Sequence, residues 1–286
     1  MRGKKEGQGM GSRNKMRSCM GICIAFVCAV AASPVFAGRI ALKAGASSCT
    51  VETVGARILS YRTPVGGEVL WNADPMQTED EKWAHGGIPV CWPWFGVNGK
   101  GEYHGTAWRD EFKVASRTCE EGRDELVLVR EEGKVRVTCA IVLGTTLRVE
   151  LKTVNGSKKD FAFSAGLHPY FRVGERDETE VAGLGPKPLA ITRTIDDVFP
   201  AGPCAFAVYG LQDRSLGRTI FLLFENATGV NVWNPGPEKD CPGTVPGDEW
   251  RHWVCVEPML GSYKCPVTVR AGCSMTLAMS VDVRKK

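Results

Sequence analysis

Sustained helical periodicity, low-complexity linkers and CxxC pairs are all missing from this sequence of 286 residues. Without apolar residues repeating every 3.6 positions, the chain is not expected to be a helical or α/β protein. The cysteine spacings do not suggest a zinc module. Histidine is also scarce, with four in the whole chain, so each one can be considered singly.

Residues 1–37 have the composition of a secretory signal peptide. Residues 1–17 carry six of the 36 lysines and arginines, residues 20–32 form an apolar run, and small residues precede a cleavage point expected after Ala37. We therefore expect an exported protein, periplasmic or extracellular. The alternative is a retained membrane anchor, although the apolar run is short for a span. Met10 or Met16 are alternative starts.

Residues 38–286 are close to electrical neutrality. The first 37 residues hold six of the 36 basic and one of the 32 acidic side chains, which leaves 30 basic and 31 acidic. No nucleic-acid partner is expected from such a balance. Nine of the twelve cysteines lie here, so a monomer, the expected state, has at least one unpaired thiol. Cys265 with Cys273 is one pairing that the sequence leaves open.

Alternation of apolar and polar residues runs through this part of the chain. Residues 147–152 alternate Leu or Val with charged residues, and residues 275–283 repeat the pattern, as in a sheet with one wet face. Shorter β-like runs cover residues 51–61, 126–130, 135–143, 220–224 and 254–256. We predict one all-β domain over 38–286, a large sandwich of antiparallel sheets with a face able to hold a ligand.

Residues 85–96, HGGIPVCWPWFG, predict a rigid loop. Paired glycines permit a close turn, and two prolines oppose both a helix and a long strand. Trp92, Trp94 and Phe95 give the loop three aromatic faces. They serve either core packing or the wall of a ligand site.

A histidine and a glutamate each stand where an apolar run meets a proline. His168 precedes Pro169, with Tyr170 and Phe171 behind it, which places an imidazole at a strand end beside aromatic surface. Glu257 ends the run 253–256 and precedes a proline, so we expect its strand to stop there. A charged group at the edge of the core must form an ion pair or serve a function. A salt bridge to an arginine is therefore the alternative to a functional role for Glu257.

Six motifs in order carry a resemblance to a known family. They are GGIPVCWPWFG, HGTAW, GLHPYFRVG, IDDVF at 195–199, VWNPG at 232–236 and WVCVEP at 253–258. The chain resembles the hexose-6-phosphate mutarotases, or glucose-6-phosphate 1-epimerases, a branch of the aldose 1-epimerase superfamily, over residues 39–283. The resemblance implies a galactose-mutarotase-like β-supersandwich and an isomerase.

The same resemblance implies the catalytic residues. Glu257 would be the base that takes the proton from the C1 hydroxyl, and His168 the acid that protonates the ring oxygen, so that the ring opens and recloses. This requires an ionised glutamate beside a protonated imidazole. At ordinary pKa values only roughly a quarter of His168 would be protonated at neutral pH, and a nearby carboxylate is expected to raise that fraction. No metal and no organic cofactor is required.

Further residues are implied at the substrate site. His104, His85 and Trp94 would line it, with the indole stacking on the sugar ring. Asp196 matches an aspartate that contacts sugar hydroxyls, and Asp197 is the alternative if the register is shifted by one.

Departures from the family pattern bear on the choice between a hexose and a hexose phosphate. The family has arginine before GGIP and at the fifth position of its HG-x-A-R motif, where this chain has His85 and Trp108; Tyr103 replaces a glutamine. Neither imidazole nor indole reproduces the guanidinium fork that binds phosphate. Arg109 follows, but in a strand it would point the other way. Free sugars or reducing ends of oligosaccharides are therefore the expected substrates.

Two other functions compete with a mutarotase. A non-catalytic carbohydrate-binding module would need polar groups but not an acid and a base together. A polysaccharide-processing enzyme would need a second carboxylate near Glu257, for which Asp196 is the only candidate.

Overall fold

The computed structural model describes residues 38–73, 85–202, 204–237 and 247–285. Within these ranges the chain forms β-strands and three short 3-10 helices, Ala107–Arg109, Arg176–Glu178 and Glu249–His252, and no α-helix. The strands are β1 (Arg39–Ala44), β2 (Ser47–Glu52), β3 (Ile58–Thr63), β4 (Gly67–Glu68), β5 (Val90–Cys91), β6 (Lys113–Glu120), β7 (Arg123–Glu132), β8 (Val135–Leu143), β9 (Leu147–Asn155), β10 (Phe161–Phe163), β11 (Ala165–Leu167), β12 (Tyr170–Arg172), β13 (Thr179–Ala182), β14 (Leu189–Ala190), β15 (Ile195–Pro200), β16 (Phe206–Asp213), β17 (Arg218–Glu225), β18 (Gly229–Asn234), β19 (Trp253–Leu260), β20 (Val267–Val269) and β21 (Ser274–Lys285).

Two large antiparallel sheets dominate the fold. The larger has nine strands in the order β14-β13-β16-β17-β21-β9-β8-β7-β6. The other has the order β15-β18-β19-β11-β5, with β12 also pairing with β19. Strands β1 to β4 form a third sheet, and β10 pairs with β20. The prediction of an all-β, antiparallel fold is confirmed.

One apolar cluster joins the sheets. Alternate residues of β8 and β9, such as Cys139, Ile141 and Val149, are buried and pack in the same cluster as Val254 and Val256 of β19. The other residues of β8 and β9 are partly or fully exposed, as period-two strands with one wet face require. The periodicity at 147–152 and 275–283 therefore identified two central strands of the nine-stranded sheet.

Two local predictions were wrong. The run 51–61 is two strands, β2 and β3, because the chain turns between them at Gly55 and Ala56, both with positive φ. The strand carrying Glu257 does not stop at Pro258 but continues to Leu260. Pro258 pairs with Val230 on one side, while on the other side β11 and β12 are interrupted at residues 168 and 169. The missing N–H of the proline therefore breaks no ladder hydrogen bond there.

Several sequence predictions fall outside the described ranges or stay open. The expected signal segment 1–37 lies outside them, as does Cys241. Cys265 and Cys273 are both free thiols, so the pairing left open by the sequence is not formed. No helix among the described residues is both long and apolar enough to cross a bilayer.

Candidate active site

Strand β19 is buried on both faces and so presents two different rows of side chains. All eight of its residues are buried. Val254 and Val256 pack in the main core. Since side chains alternate along a strand, the odd-numbered residues face the other way, and these are Trp253, Cys255, Glu257 and Met259. Glu257 therefore lies on the sheet face turned away from the main core.

His168 reaches this face from the interruption between β11 and β12. Its backbone N–H donates to the carbonyl of Pro89 over 3.0 Å, which fixes the short connection against the loop that precedes β5. Its Nε2 lies 3.4 Å from Oε2 of Glu257. The two residues are 4% and 0% exposed. The structure thus brings the two predicted catalytic residues together, in a conformation that is closed to solvent.

The surroundings of Glu257 exclude the structural alternative. Asn231, the cross-strand neighbour of Glu257 on β18, donates from Nδ2 to Oε1 over 3.2 Å. The same amide lies 3.5 Å from Oδ1 of Asp196. No arginine contacts Glu257 among the described residues, and no hydrogen-bond donor there reaches its Oε2. Within the described part of the chain, the carboxyl group is therefore not paired with an arginine.

The aspartate pair at 196 and 197 divides between the two faces of β15. Asp196 lies opposite Trp233, on the same face as Asn231 and Glu257. Asp197 forms an ion pair with Arg193 at 2.6 Å. Of the two aspartates, Asp196 is the one near the pair, as predicted, and it is exposed enough to meet a ligand.

Two of the four histidines, His168 and His85, contact Tyr170, and a third, His104, contacts His168. The His168 ring stacks on Tyr170 with centroids 4.8 Å apart, and His104 meets His168 edge-on at 5.2 Å. His85 Nδ1 lies 3.0 Å from the Tyr170 hydroxyl oxygen, and its ring stacks on Trp233. His252 is elsewhere, with Nδ1 bonded to the carbonyl of Gly174 at 2.8 Å.

The hydrogen bond to His104 fixes its tautomer. The backbone N–H of Gly96 donates to Nδ1 over 3.3 Å, so the proton of the neutral ring is on Nε2. Burial, with a smaller effect of His85, lowers the pKa of His104 to about 3. His104 is therefore a neutral ring beside His168 that offers one N–H donor.

Burial pushes both members of the pair towards their neutral forms. It raises the pKa of Glu257 well above the ordinary value; the Asp196 carboxylate adds to this rise and the Asn231 hydrogen bond opposes it. Burial also lowers the pKa of His168, and the neighbouring His104 and His85 lower it further. The expectation that a nearby carboxylate would increase protonation of His168 is wrong for this closed state, because burial lowers the pKa of His168 and also raises that of Glu257, which favours the neutral carboxyl.

The tryptophans of the 85–96 loop have separate roles. Trp92 is fully buried in the main core, and its Nε1 donates to Thr153 over 3.1 Å. Trp94 is partly exposed and donates to the Glu102 carbonyl over 3.4 Å. Among the described contacts Trp94 does not touch His168 or Glu257, so its stacking on a sugar stays a prediction.

The positions that depart from the family pattern are well defined. Trp108 packs with Cys91, Phe95 and Met259 in a separate apolar cluster. Arg109 does not lie in a strand as assumed, but in the 3-10 helix Ala107–Arg109, with its guanidinium 5.9 Å from the Trp108 ring centre. The argument that a strand would turn Arg109 away therefore does not apply.

Sequence reasoning missed Asn231, Trp233 and Cys255 as neighbours of the pair. Asn231 and Trp233 are alternate residues of β18 and point to the same face as Glu257. The alternation in VNVWN was the available signal, but it could not say which strand lies beside β19.

Fold and site together define a galactose-mutarotase-like β-sandwich protein with a buried imidazole and carboxyl group. The solved structure of a "galactose mutarotase-like protein" from Clostridium acetobutylicum has a TM-score of 0.67 at 14% identity, covering 87% of this chain and 95% of that one. A "putative mutarotase" from Salmonella typhimurium superimposes with a TM-score of 0.75 at 25% identity, covering 87% and 90% of the two chains.

Proteins of similar sequence and a family model identify the family of this chain. A protein from Escherichia coli K12 named "Putative glucose-6-phosphate 1-epimerase" is 26% identical over 81% of this chain and 85% of its own length. A protein of the same name from Salmonella typhimurium is 28% identical over 71% and 76%. The model of the aldose 1-epimerase family matches residues 38–204. The chain therefore belongs to the aldose 1-epimerase family and is an isomerase, which confirms the resemblance predicted from the six motifs.

Proposed function

We propose that this protein is a hexose mutarotase that interconverts α and β anomers with Glu257 and His168 as its base and acid. The observation that carries the proposal is the 3.4 Å separation between His168 Nε2 and Glu257 Oε2 on one buried sheet face. The C1 hydroxyl and the ring oxygen of a pyranose are bonded to the same carbon. An acid and a base that serve these two oxygens must therefore be neighbours, as these two groups are.

The reaction needs one proton on the pair throughout. Glu257 takes the proton of the C1 hydroxyl while His168 gives one to the ring oxygen, and the C1–O5 bond breaks to leave an aldehyde. At that point the carboxyl is protonated and the imidazole is neutral. After rotation about C1–C2 the two transfers run in reverse and close the ring on the other face of the carbonyl.

The closed site favours the proton distribution of the open-chain stage. Burial favours neutral Glu257 and neutral His168, the distribution that follows ring opening. A ring-form sugar must therefore shift the proton from Glu257 to His168. Its hydroxyls can do so by supplying hydrogen bonds to the charged forms. Asp196, Asn231 and His104 are the polar groups beside the pair that would orient it.

The substrate we propose is a free hexose or the reducing end of an oligosaccharide. Two family arginine positions hold His85, which contacts the Tyr170 hydroxyl, and Trp108, whose Nε1 donates to the Gly105 carbonyl over 3.1 Å. Neither offers the guanidinium fork suited to a phosphate. Export, proposed from residues 1–37, supports the same choice because phosphorylated hexoses are mainly cytoplasmic. The guanidinium of Arg109, which lies beside the Trp108 ring, is the group that would favour a phosphorylated substrate instead.

Anomer exchange measured by NMR tests the proposal. Glucose, galactose and glucose 6-phosphate are compared with the wild-type protein and with His168→Ala and Glu257→Gln. Exchange faster than the buffer rate that is lost in both variants is the expected result. Glucose 6-phosphate exchanging much faster than glucose would contradict the substrate assignment. Sugar binding without faster exchange would instead identify a carbohydrate-binding module.

A further inference from the structure

We propose that His168, Cys255 and Glu257 form a site for a thiophilic divalent cation such as Zn²⁺, and that the bound ion blocks the catalytic pair. One ligand atom of each residue, an imidazole nitrogen, the thiol sulfur and a carboxylate oxygen, lies within 4.8 Å of the other two. All three residues are buried. The thiol has no part in the proposed reaction, and it is the one soft ligand of the three.

The spacing is close to that of a zinc site. Nitrogen, oxygen and sulfur ligands on a tetrahedral zinc lie about 3.3 to 3.8 Å apart, from bond lengths of about 2.0 to 2.3 Å. The 3.4 Å between His168 Nε2 and Glu257 Oε2 already falls in this range. Cys255 and Glu257 are alternate residues of β19, so both side chains point to the same face. Small side-chain shifts would complete the set.

A second observation points to a ligand at this position. Glu257 Oε2 is buried and receives no hydrogen bond from the described residues, while Oε1 is held by Asn231. An outer partner of this kind orients a metal-binding carboxylate. Oε2, which lies 3.4 Å from His168 Nε2, is therefore the carboxylate oxygen left for a ligand.

Charge balance favours a divalent ion with a thiolate ligand. One thiolate and one carboxylate neutralise a 2+ ion, and a neutral imidazole adds no charge, so the buried complex has no net charge. Sulfur and imidazole ligands favour Zn²⁺ over Mg²⁺ and Ca²⁺, which prefer oxygen. Three protein ligands leave the fourth position for water.

Binding and catalysis exclude each other because they use the same lone pairs. The ion would occupy His168 Nε2 and Glu257 Oε2, and it would displace to water the thiol proton of Cys255 and the one proton of the pair. This inhibitory consequence rests on the proposed function. The metal binding itself does not, and a spectrum can measure it without any activity.

Cobalt(II) titration tests the site directly. Co²⁺ bound to a thiolate gives a sulfur-to-metal charge-transfer band that nitrogen and oxygen ligands do not produce. We expect this band in the wild-type protein, its loss in Cys255→Ala, and its retention in Cys265→Ala, which removes an exposed thiol. A band that survives in Cys255→Ala, or no band in the wild type, would overturn the proposal. If Cys255→Ala does not fold, Glu257→Gln decides, since unchanged cobalt affinity in that variant would overturn it too.

Inhibition of anomer exchange by zinc is the second test of the proposal. ZnCl₂ should slow exchange and EDTA should restore it, whereas MgCl₂ at the same concentration should have no effect. The zinc concentration for half inhibition should rise at least about tenfold in Cys255→Ala and stay unchanged in Cys265→Ala. Equal zinc sensitivity in Cys255→Ala and wild type would overturn the inhibitory role. A protein that binds Co²⁺ through Cys255 but has no activity would refute the proposed function and leave the metal site standing.

Discussion

The side-chain amide of Asn231 donates to Oε1 of Glu257 over 3.2 Å, from the position directly opposite on the neighbouring strand. The same amide approaches Asp196 at 3.5 Å. The buried glutamate therefore has two polar neighbours with opposite effects on its pKa. Beside the dominant effect of burial, Asp196 raises it and Asn231 lowers it.

Substitution of these neighbours should move the alkaline limb of the pH profile in opposite directions. The active pair carries one proton, and activity is lost at high pH when Glu257 gives it up. Asp196→Asn removes a negative charge, lowers the pKa of Glu257 and moves the limb to lower pH. Asn231→Ala removes the hydrogen bond to the carboxylate, raises the pKa and moves the limb to higher pH. The measurement is kcat/KM for anomer exchange against pH.

The quantity to compare is the pH at which kcat/KM falls on the alkaline side, and not the maximum value of kcat/KM. Both residues lie near the bound sugar in the proposed function, so either variant can also change KM. Shifts in the same direction, or none, would show that these groups do not control the ionisation of Glu257. Circular dichroism of both variants checks that the fold is kept.

Glu257→Gln should gain stability relative to the wild type as the pH rises, because the wild type becomes less stable and the variant does not. The pKa of Glu257 is raised in the folded state, so above the ordinary glutamate value the unfolded chain releases a proton that the folded chain keeps. Folding stability then falls with rising pH by about 1.4 kcal/mol per unit until the raised pKa is reached. The variant lacks this loss.

Urea denaturation of wild type and Glu257→Gln at pH 4 to 8 measures the effect. The difference in unfolding free energy should grow from pH 4.5 upward, while activity is lost in the variant. Glu102→Gln, at an exposed position, is the control and should show no such growth. A Glu257→Gln variant that is less stable at pH 7 would mean that the carboxyl is ionised and stabilised in the folded protein.

Gly105 and Gly101 provide a matched test of the loop that holds His104. They have nearly the same backbone, φ 79° and 78°, but a Cβ at Gly105 would lie 2.1 Å from the Trp92 carbonyl oxygen, whereas none of the surrounding atoms comes within 4 Å at Gly101. Gly101→Ala should cost about 1 to 2 kcal/mol for the left-handed backbone alone. Gly105→Ala should cost roughly 3 kcal/mol and slow anomer exchange by displacing His104.

Thermal unfolding and exchange rates of the two glycine variants separate the cost of a left-handed backbone from the cost of the contact between the new Cβ and the Trp92 carbonyl oxygen. Equal losses of stability would show that the loop adapts to a side chain at Gly105. Normal activity in a clearly destabilised Gly105→Ala would show that His104 does not need its present position.

Strands with one solvent-exposed face could be predicted from the sequence. Strands β8 and β9 alternate between buried and partly or fully exposed residues, β21 does so over residues 279–283, and this periodicity was visible in the sequence. Strand β19 is buried on both faces and therefore reads as a plain apolar run. Its continuation through Pro258 depends on the gap between β11 and β12, which is a property of the neighbouring strands.

The candidate site was predictable from motifs but not from local pattern. His168 and Glu257 each stood beside a proline, and the family resemblance paired them. The alternation in VNVWN could not place Asn231 beside Glu257, because only the register of β18 against β19 does so. Cys255 lies two residues before Glu257 on the same strand, but nothing in the sequence marked its thiol as part of a site. The shifts of both pKa values towards the neutral forms were also hidden, since they follow from burial by the folded chain.

Tyr170 contacts His168 through its ring and His85 through its hydroxyl group, and substitutions can separate these two contacts. Its ring stacks on His168 at 4.8 Å, and its hydroxyl oxygen lies 3.0 Å from His85 Nδ1. Tyr170→Phe keeps the ring and removes one buried hydrogen bond, so it should cost about 1 kcal/mol of stability and little activity. Tyr170→Leu removes the stacking face as well, and should release His168 from its orientation and slow exchange strongly. If Tyr170→Phe lost activity as completely as Tyr170→Leu, the hydroxyl group itself would take part in proton transfer, and the proposed mechanism would need a third acid–base group.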